Sequence, residues 1–149
     1  MPSLNTFLTL LHLLGLAFAL GASTVKVILL IRCLRDRDFI PTYLQVIRPI
    51  TRVIISGLVL LTLSGIAWIF LTRGHPLTAR LIVKLLLVVA VWIIGPIIDN
   101  VLEPKYRHSA PSAGESPSNA FLRAQRRYLE FELLATGIFY AITAFWVLT

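Results

Sequence analysis

Residues 79–98, ARLIVKLLLVVAVWIIGPII, decide the fold class. Arg80 and Lys84 are the charges of this stretch, both near its start, and the next charge is Asp99. An apolar run of this length matches the ~20 residues that an α-helix needs to cross a hydrocarbon layer about 30 Å thick. The run is too long for a strand and lacks the alternation of a membrane barrel. A helix satisfies its own backbone in lipid, so a helix is the reading.

Working outward, three further runs have the same character. The four spans are expected at about 4–31, 50–71, 79–102 and 128–148. They predict an all-α fold, an integral membrane four-helix bundle, with residues 1–149 forming a single transmembrane domain. The first run is too long for a cleaved signal and lacks a basic leader, so it reads as a retained helix. Composition agrees. Of the 149 residues 57% are hydrophobic and 14% charged, with a mean hydropathy of +0.83. Soluble domains carry ~25% charged residues, so the excess apolar surface must face lipid.

The net charge is +7, from 14 basic and 7 acidic residues. The basic residues sit between apolar runs, which argues for membrane topology and against a nucleic-acid partner. Arg32, Arg35, Arg37, Arg48 and Arg52 lie between spans one and two. Lys105, Arg107, Arg123, Arg126 and Arg127 lie between spans three and four. The positive-inside rule then makes both segments cytoplasmic, in the plasma (inner) membrane, with both termini and the turn at His75 outside. Trp68 and Trp146 would join an outer interfacial belt, and Tyr43 would anchor at the headgroups. Pro41 and Pro49 suggest an interfacial segment over 39–52. Residues 105–119, rich in Ser, Pro and Gly, read as a mobile cytoplasmic loop. Gly95-Pro96 marks a candidate kink. The single cysteine, Cys33, allows no intrachain disulfide.

Polar residues inside spans are costly in hydrocarbon and mark the candidate site. His12, Gly15, Ala19, Ala22 and Lys26 recur at spacings of three and four, forming one inward stripe. Gly15, Ala19 and Ala22 are the helix-packing positions, with Ala17 and Gly21 beside them. His12 lies ~12 Å into its helix and Lys84 ~8 Å into a parallel one, so the two can share a level. A neutral imidazole can ligate haem iron or another metal, which makes His12 the metal candidate and Lys84 its companion. His75 could cover the pocket from above. The plainer alternatives are a structural hydrogen bond for His12, a snorkelling Lys84 and a solvated His75. No spacing typical of zinc sites links the histidines, and His108 reads as solvated. Asp99, Glu103, Glu130 and Glu132 are expected to face Arg48 and Arg52, as ion pairs or as a proton or cation path. No phosphate loop, nucleophile elbow or hydrolytic carboxylate pair is present, so hydrolytic chemistry of the soluble-enzyme type is not the expectation.

Leu11-His12-Leu13-Leu14-Gly15, the following Gly21-Ala22-Ser23-Thr24, the charged exit Arg32–Asp38, Arg52-Val53-Ile54, Ser64-Gly65 and Lys84 resemble a group of small bacterial four-helix membrane proteins. The group includes the membrane domain of copper-resistance protein D and the haem-b-containing membrane protoporphyrinogen oxidase. The resemblance covers about the first hundred residues. For the haem branch it implies haem b, a first-helix histidine (His12) and a third-helix lysine (Lys84). The chain departs from that branch at Arg32-Cys33-Leu34, and Met1 as sole methionine leaves few soft copper ligands. The functional expectation is a haem or similar redox ligand in the outer half of the bundle. A non-catalytic accessory or scaffold subunit, working as a homo-oligomer or in a larger membrane complex, is the alternative. Small-solute or ion transport is the third.

Overall fold

The computed structural model describes residues 3–71, 78–112 and 115–147, with side chains as far as Phe145. Helix α1 runs Leu4–Arg35 and is capped by Ser3, whose hydroxyl accepts the Thr6 N–H. Its last turn holds Arg32 and Arg35, cations set against the negative end of the helix dipole. A 3-10 turn, Arg37–Phe39, leads into α2, Ile40–Leu71. Helix α3, Ala79–Ile97, is capped by Thr78 and passes through a π-helical turn, Ile98–Leu102, into α4, Glu103–Ser109. Helix α5 is Asn119–Val147. Taking α3 to α4 as one rod, four helices among the described residues are each long and apolar enough to cross a membrane. This is the architecture of a multi-pass membrane protein.

Helix α1 packs most extensively on α2 and also on α5, which in turn holds α3. One core layer lies midway, built from Ala19, Leu58, Val91 and Phe139. A larger one lies at the end carrying the basic segments, where Tyr43, Tyr106, Phe121 and Tyr128 pack with Leu30 and Ile47. The Tyr106 ring stacks on both Phe121 and Tyr128, at centroid distances of 5.2 and 5.3 Å. Along α3, Ile82, Leu86, Val89 and Ile93 are exposed. Their three-to-four spacing makes one apolar face suited to lipid.

Three local expectations are corrected. Residues 39–52 are not a separate interfacial segment, because α2 is continuous from Ile40. Pro41 occupies the first turn, where a missing N–H costs no helix bond. Pro49 is exposed, so the Gln45 carbonyl it leaves free does not face the core. Continuity of the helix puts Ile40, Tyr43 and Ile47 on one inward face, and all three are buried. Tyr43 is therefore a core residue, its hydroxyl donating to that of Tyr128 at 3.2 Å, and not a headgroup anchor. Finally, the expected loop 105–119 is helical as far as Ser109. Pro104 sits at the start of α4, where proline is tolerated.

The close approach of α1 and α2 is made by glycine. A Cβ on Gly57 would lie 2.5 Å from the Ala19 nitrogen and 2.7 Å from the Gly15 oxygen. One on Gly15 would lie 2.7 Å from the Leu61 nitrogen and 2.8 Å from the Gly57 oxygen. The two backbones touch with no side chain between them, as small residues permit in membrane helices.

A buried lysine shared by two carboxylates

At the basic end, Lys26 of α1 is 2% exposed. Its Nζ lies 2.5 Å from Oε1 of Glu132 on α5 and 3.6 Å from Oδ1 of Asp99 in the π-helical turn. The Glu132 side chain is 3% exposed and that of Asp99 26%. The ammonium also stands 5.6 Å from the centroid of the Tyr128 ring, within cation–π range. One amine therefore faces two carboxyl groups where screening by water is weak. If all three groups are charged, the centre carries one uncompensated negative charge.

The elements that build this centre follow from local chemistry. Lys26 continues the small-residue stripe of α1, so it points between α1 and α5. One turn away, Ser23 and Thr136 share a buried hydroxyl hydrogen bond of 2.5 Å, which ties the same two helices. Pro96 has no N–H to give the Trp92 carbonyl, and the chain relaxes into wider turns directly afterwards. The Glu103 N–H reaches back five residues to the Ile98 carbonyl. Asp99 lies in that π turn, a feature often found at functional sites. Glu103 then pairs with Arg107 at 3.4 Å, and Arg107 also donates to the Leu44 carbonyl at 3.2 Å, joining α4 to α2.

The expected pairing with Arg48 and Arg52 is corrected accordingly. Asp99 and Glu132 pair with Lys26, Glu103 with Arg107, and Glu130 with Arg126. Arg48 and Arg52 are exposed, because the inward phase of Tyr43 and Ile47 turns them outward. Periodicity puts Lys26 on the inward stripe but does not join it to Asp99 and Glu132. The available signal was depth. Asp99 lies at the far end of span three and Glu132 just inside span four, at the same end of the bundle as Lys26.

In the other half of the bundle, His12 is half-buried against α2. Its Nδ1 lies 2.9 Å from Ser64 Oγ, and its ring rests over Gly65. The Ser64 hydroxyl donates to the Leu60 carbonyl at 2.6 Å. With the Ser64 hydrogen assigned to the Leu60 carbonyl, Ser64 Oγ accepts from His12 Nδ1–H, and a hydrogen bond to the Leu61 backbone also holds the ring. Lys84 is half-buried and within electrostatic reach of the ring. His75 lies outside the described residues, as does the side chain of Trp146, while Trp68 is 51% exposed. Gly15 and Ala19 are buried at the α1–α2 crossing, and Ala22 is half-buried. His108 is exposed, with Nδ1 2.7 Å from the Pro104 carbonyl oxygen. Among the described residues no three His, Cys, Asp or Glu side chains gather as a metal-ligand group.

Replacing Ser64 by Ala removes the hydrogen bond between Ser64 Oγ and His12 Nδ1. Interhelical hydrogen bonds in membranes average about 0.6 kcal/mol and reach ~1.7 kcal/mol. Ser64→Ala is expected to lower stability within that range, as read from equilibrium unfolding in mixed micelles. A loss of several kcal/mol would mean that His12 contributes more than this one bond.

No protein-family model matches the sequence, and no curated protein or solved structure matches it.

Proposed function

We propose that this chain is a small membrane protein that binds and exchanges a proton, or a monovalent cation in its place, at Lys26, Glu132 and Asp99, in the service of ion or small-solute transport. The supporting observation is the charge count of the centre. One buried ammonium is shared by two carboxylates, and a single further positive charge makes the group neutral. Ionisable side chains held inside membrane bundles commonly lie on ion or proton pathways. Asp99, a quarter exposed, is the member through which exchange with the surroundings would run. Lys26 and Glu132, almost fully enclosed, would hold what is exchanged. The apolar layer of Ala19, Leu58, Val91 and Phe139 separates this centre from the His12–Ser64 pair and would act as the barrier to leakage. The density of basic residues at this end favours its placement on the cytoplasmic side.

Infrared difference spectra between acidic and alkaline pH, recorded on purified protein in proteoliposomes, test this reading. The wild type is expected to show a protonated-carboxyl band that Glu132→Gln or Asp99→Asn removes or shifts. Acidification of the same vesicles under an imposed membrane potential should be faster than in empty vesicles and slowed by both variants. If the wild type shows no such band and no flux above empty vesicles, the reading fails.

A second reading rests on His12. A histidine ring held at Nδ1 by a second group, as here by Ser64, is oriented in the way metal-ligating histidines usually are. Haem b, held there by His12 with Lys84 nearby, would supply one-electron redox chemistry. The dithionite-reduced absorption spectrum decides it. A sharp haem band lost in His12→Ala would support it, and a featureless spectrum after haem is supplied would exclude it.

A further inference from the structure

Helix α2 turns a polar stripe away from the bundle. Gln45, Arg48, Arg52 and Ser56 are all exposed, at intervals of three and four residues. Among the described residues no carboxylate pairs with Arg48 or Arg52; the ion pairs use Lys26, Arg107 and Arg126. From Arg52 to Leu71, the end of the helix, is nineteen residues. At 1.5 Å per residue this is about 28 Å, close to the thickness of the hydrocarbon layer. With Leu71 at one boundary of the hydrocarbon layer, the two arginines would reach the phosphates of the opposite leaflet. Gly57 meets α1 between Gly15 and Ala19. Moving nine residues from that crossing toward the basic end reaches Arg48 on α2 and Lys26 on α1. Arg48 and Lys26 are therefore at about the same distance from the crossing, with Arg52 about 6 Å closer to it.

We infer that Arg48 and Arg52 form a binding face for the headgroup of an anionic phospholipid, which fixes the depth of the bundle in the bilayer. Guanidinium groups carry donors in a planar fork and no acceptor, which matches a phosphate diester. Separated by four residues on one helix, they can clasp one headgroup or two adjacent ones. A second copy of this chain does not suit the face, because it would present the same cations. The inference rests on the membrane-spanning architecture and not on proton exchange at Lys26.

Native mass spectrometry of the full chain tests it, after release from detergent containing equal amounts of phosphatidylglycerol and phosphatidylcholine. Two basic groups near an anionic surface should favour the anionic lipid about tenfold or more. Arg48→Gln/Arg52→Gln should bring retention of the two lipids to near parity. Arg48→Lys/Arg52→Lys, which keeps the charge and loses the fork, should retain part of the preference. Arg123→Gln/Arg127→Gln, an exposed pair on α5, should leave it within about twofold. Equal retention of both lipids by the wild type overturns the inference, whatever the variants do. So does an undiminished preference in the double glutamine variant, or its loss in the α5 variant alone.

Discussion

Lys26→Met should destabilise the bundle by about 3–5 kcal/mol, the cost of breaking a buried ion pair by removing one partner. The reason lies in what remains. Glu132, 3% exposed, would face Asp99 across the vacated position with no cation between them. Ser23 and Thr136 bond to each other and cannot replace three ammonium donors. Methionine fits the space of the lysine stem, so packing alone accounts for little of the loss. The companion experiment is Lys26→Met/Glu132→Met. It removes both enclosed charges and leaves Asp99, which is partly exposed. Buried ion pairs exchanged for apolar residues of similar volume are often neutral or stabilising. The double variant should therefore recover most of what the single one loses, and the coupling between the positions should be large. Equilibrium unfolding in mixed micelles measures all three proteins. A Lys26→Met loss below ~1 kcal/mol would place the lysine amine in contact with water and end the description of a buried centre.

The second large effect is expected at the crossing of α1 and α2. Gly57→Ala puts a methyl group 2.5 Å from one backbone atom of α1 and 2.7 Å from another. Neither can rotate away, because both belong to a hydrogen-bonded helix. The helices must separate, which also loosens the Leu58–Ala19 layer beside them. Overpacking of this kind costs about 1–3 kcal/mol, and Gly57→Leu should exceed it. Gly15→Ala meets the reciprocal contacts and should behave alike. Gly21 and Gly137 supply the contrast, since a Cβ at either has nothing within 4 Å. Alanine there should be neutral, or stabilising by up to ~1 kcal/mol through helix propensity. Equal effects at Gly57 and Gly21 would show that glycine acts through chain flexibility and not through close approach.

These two sites differ in how far the sequence reveals them. The small residues Gly15 and Ala19 belong to a stripe visible from periodicity alone, but Gly57, their partner on α2, is not distinguished from Gly65 by any local pattern. Only the crossing point separates them, for Gly57 meets backbone and Gly65 meets the His12 ring. The burial of Tyr43 is hidden from the sequence for a related reason. Two prolines around it resemble breakers, yet one falls in the first turn and the other on the exposed face, so the helix runs through both.

What the sequence determines by itself is the set of four membrane-length helices, their apolar character and the inward phase of α1. These are local properties. In lipid each helix satisfies its own backbone, so its existence depends on its own residues and not on its neighbours. What only the tertiary structure decides is which charge meets which. Lys26, Asp99 and Glu132 come from helices far apart in the chain. Their meeting depends on the depth and rotation of each helix, including the π turn after Pro96. An ion pair is set by a few ångströms between side chains, and no segment read alone contains that distance.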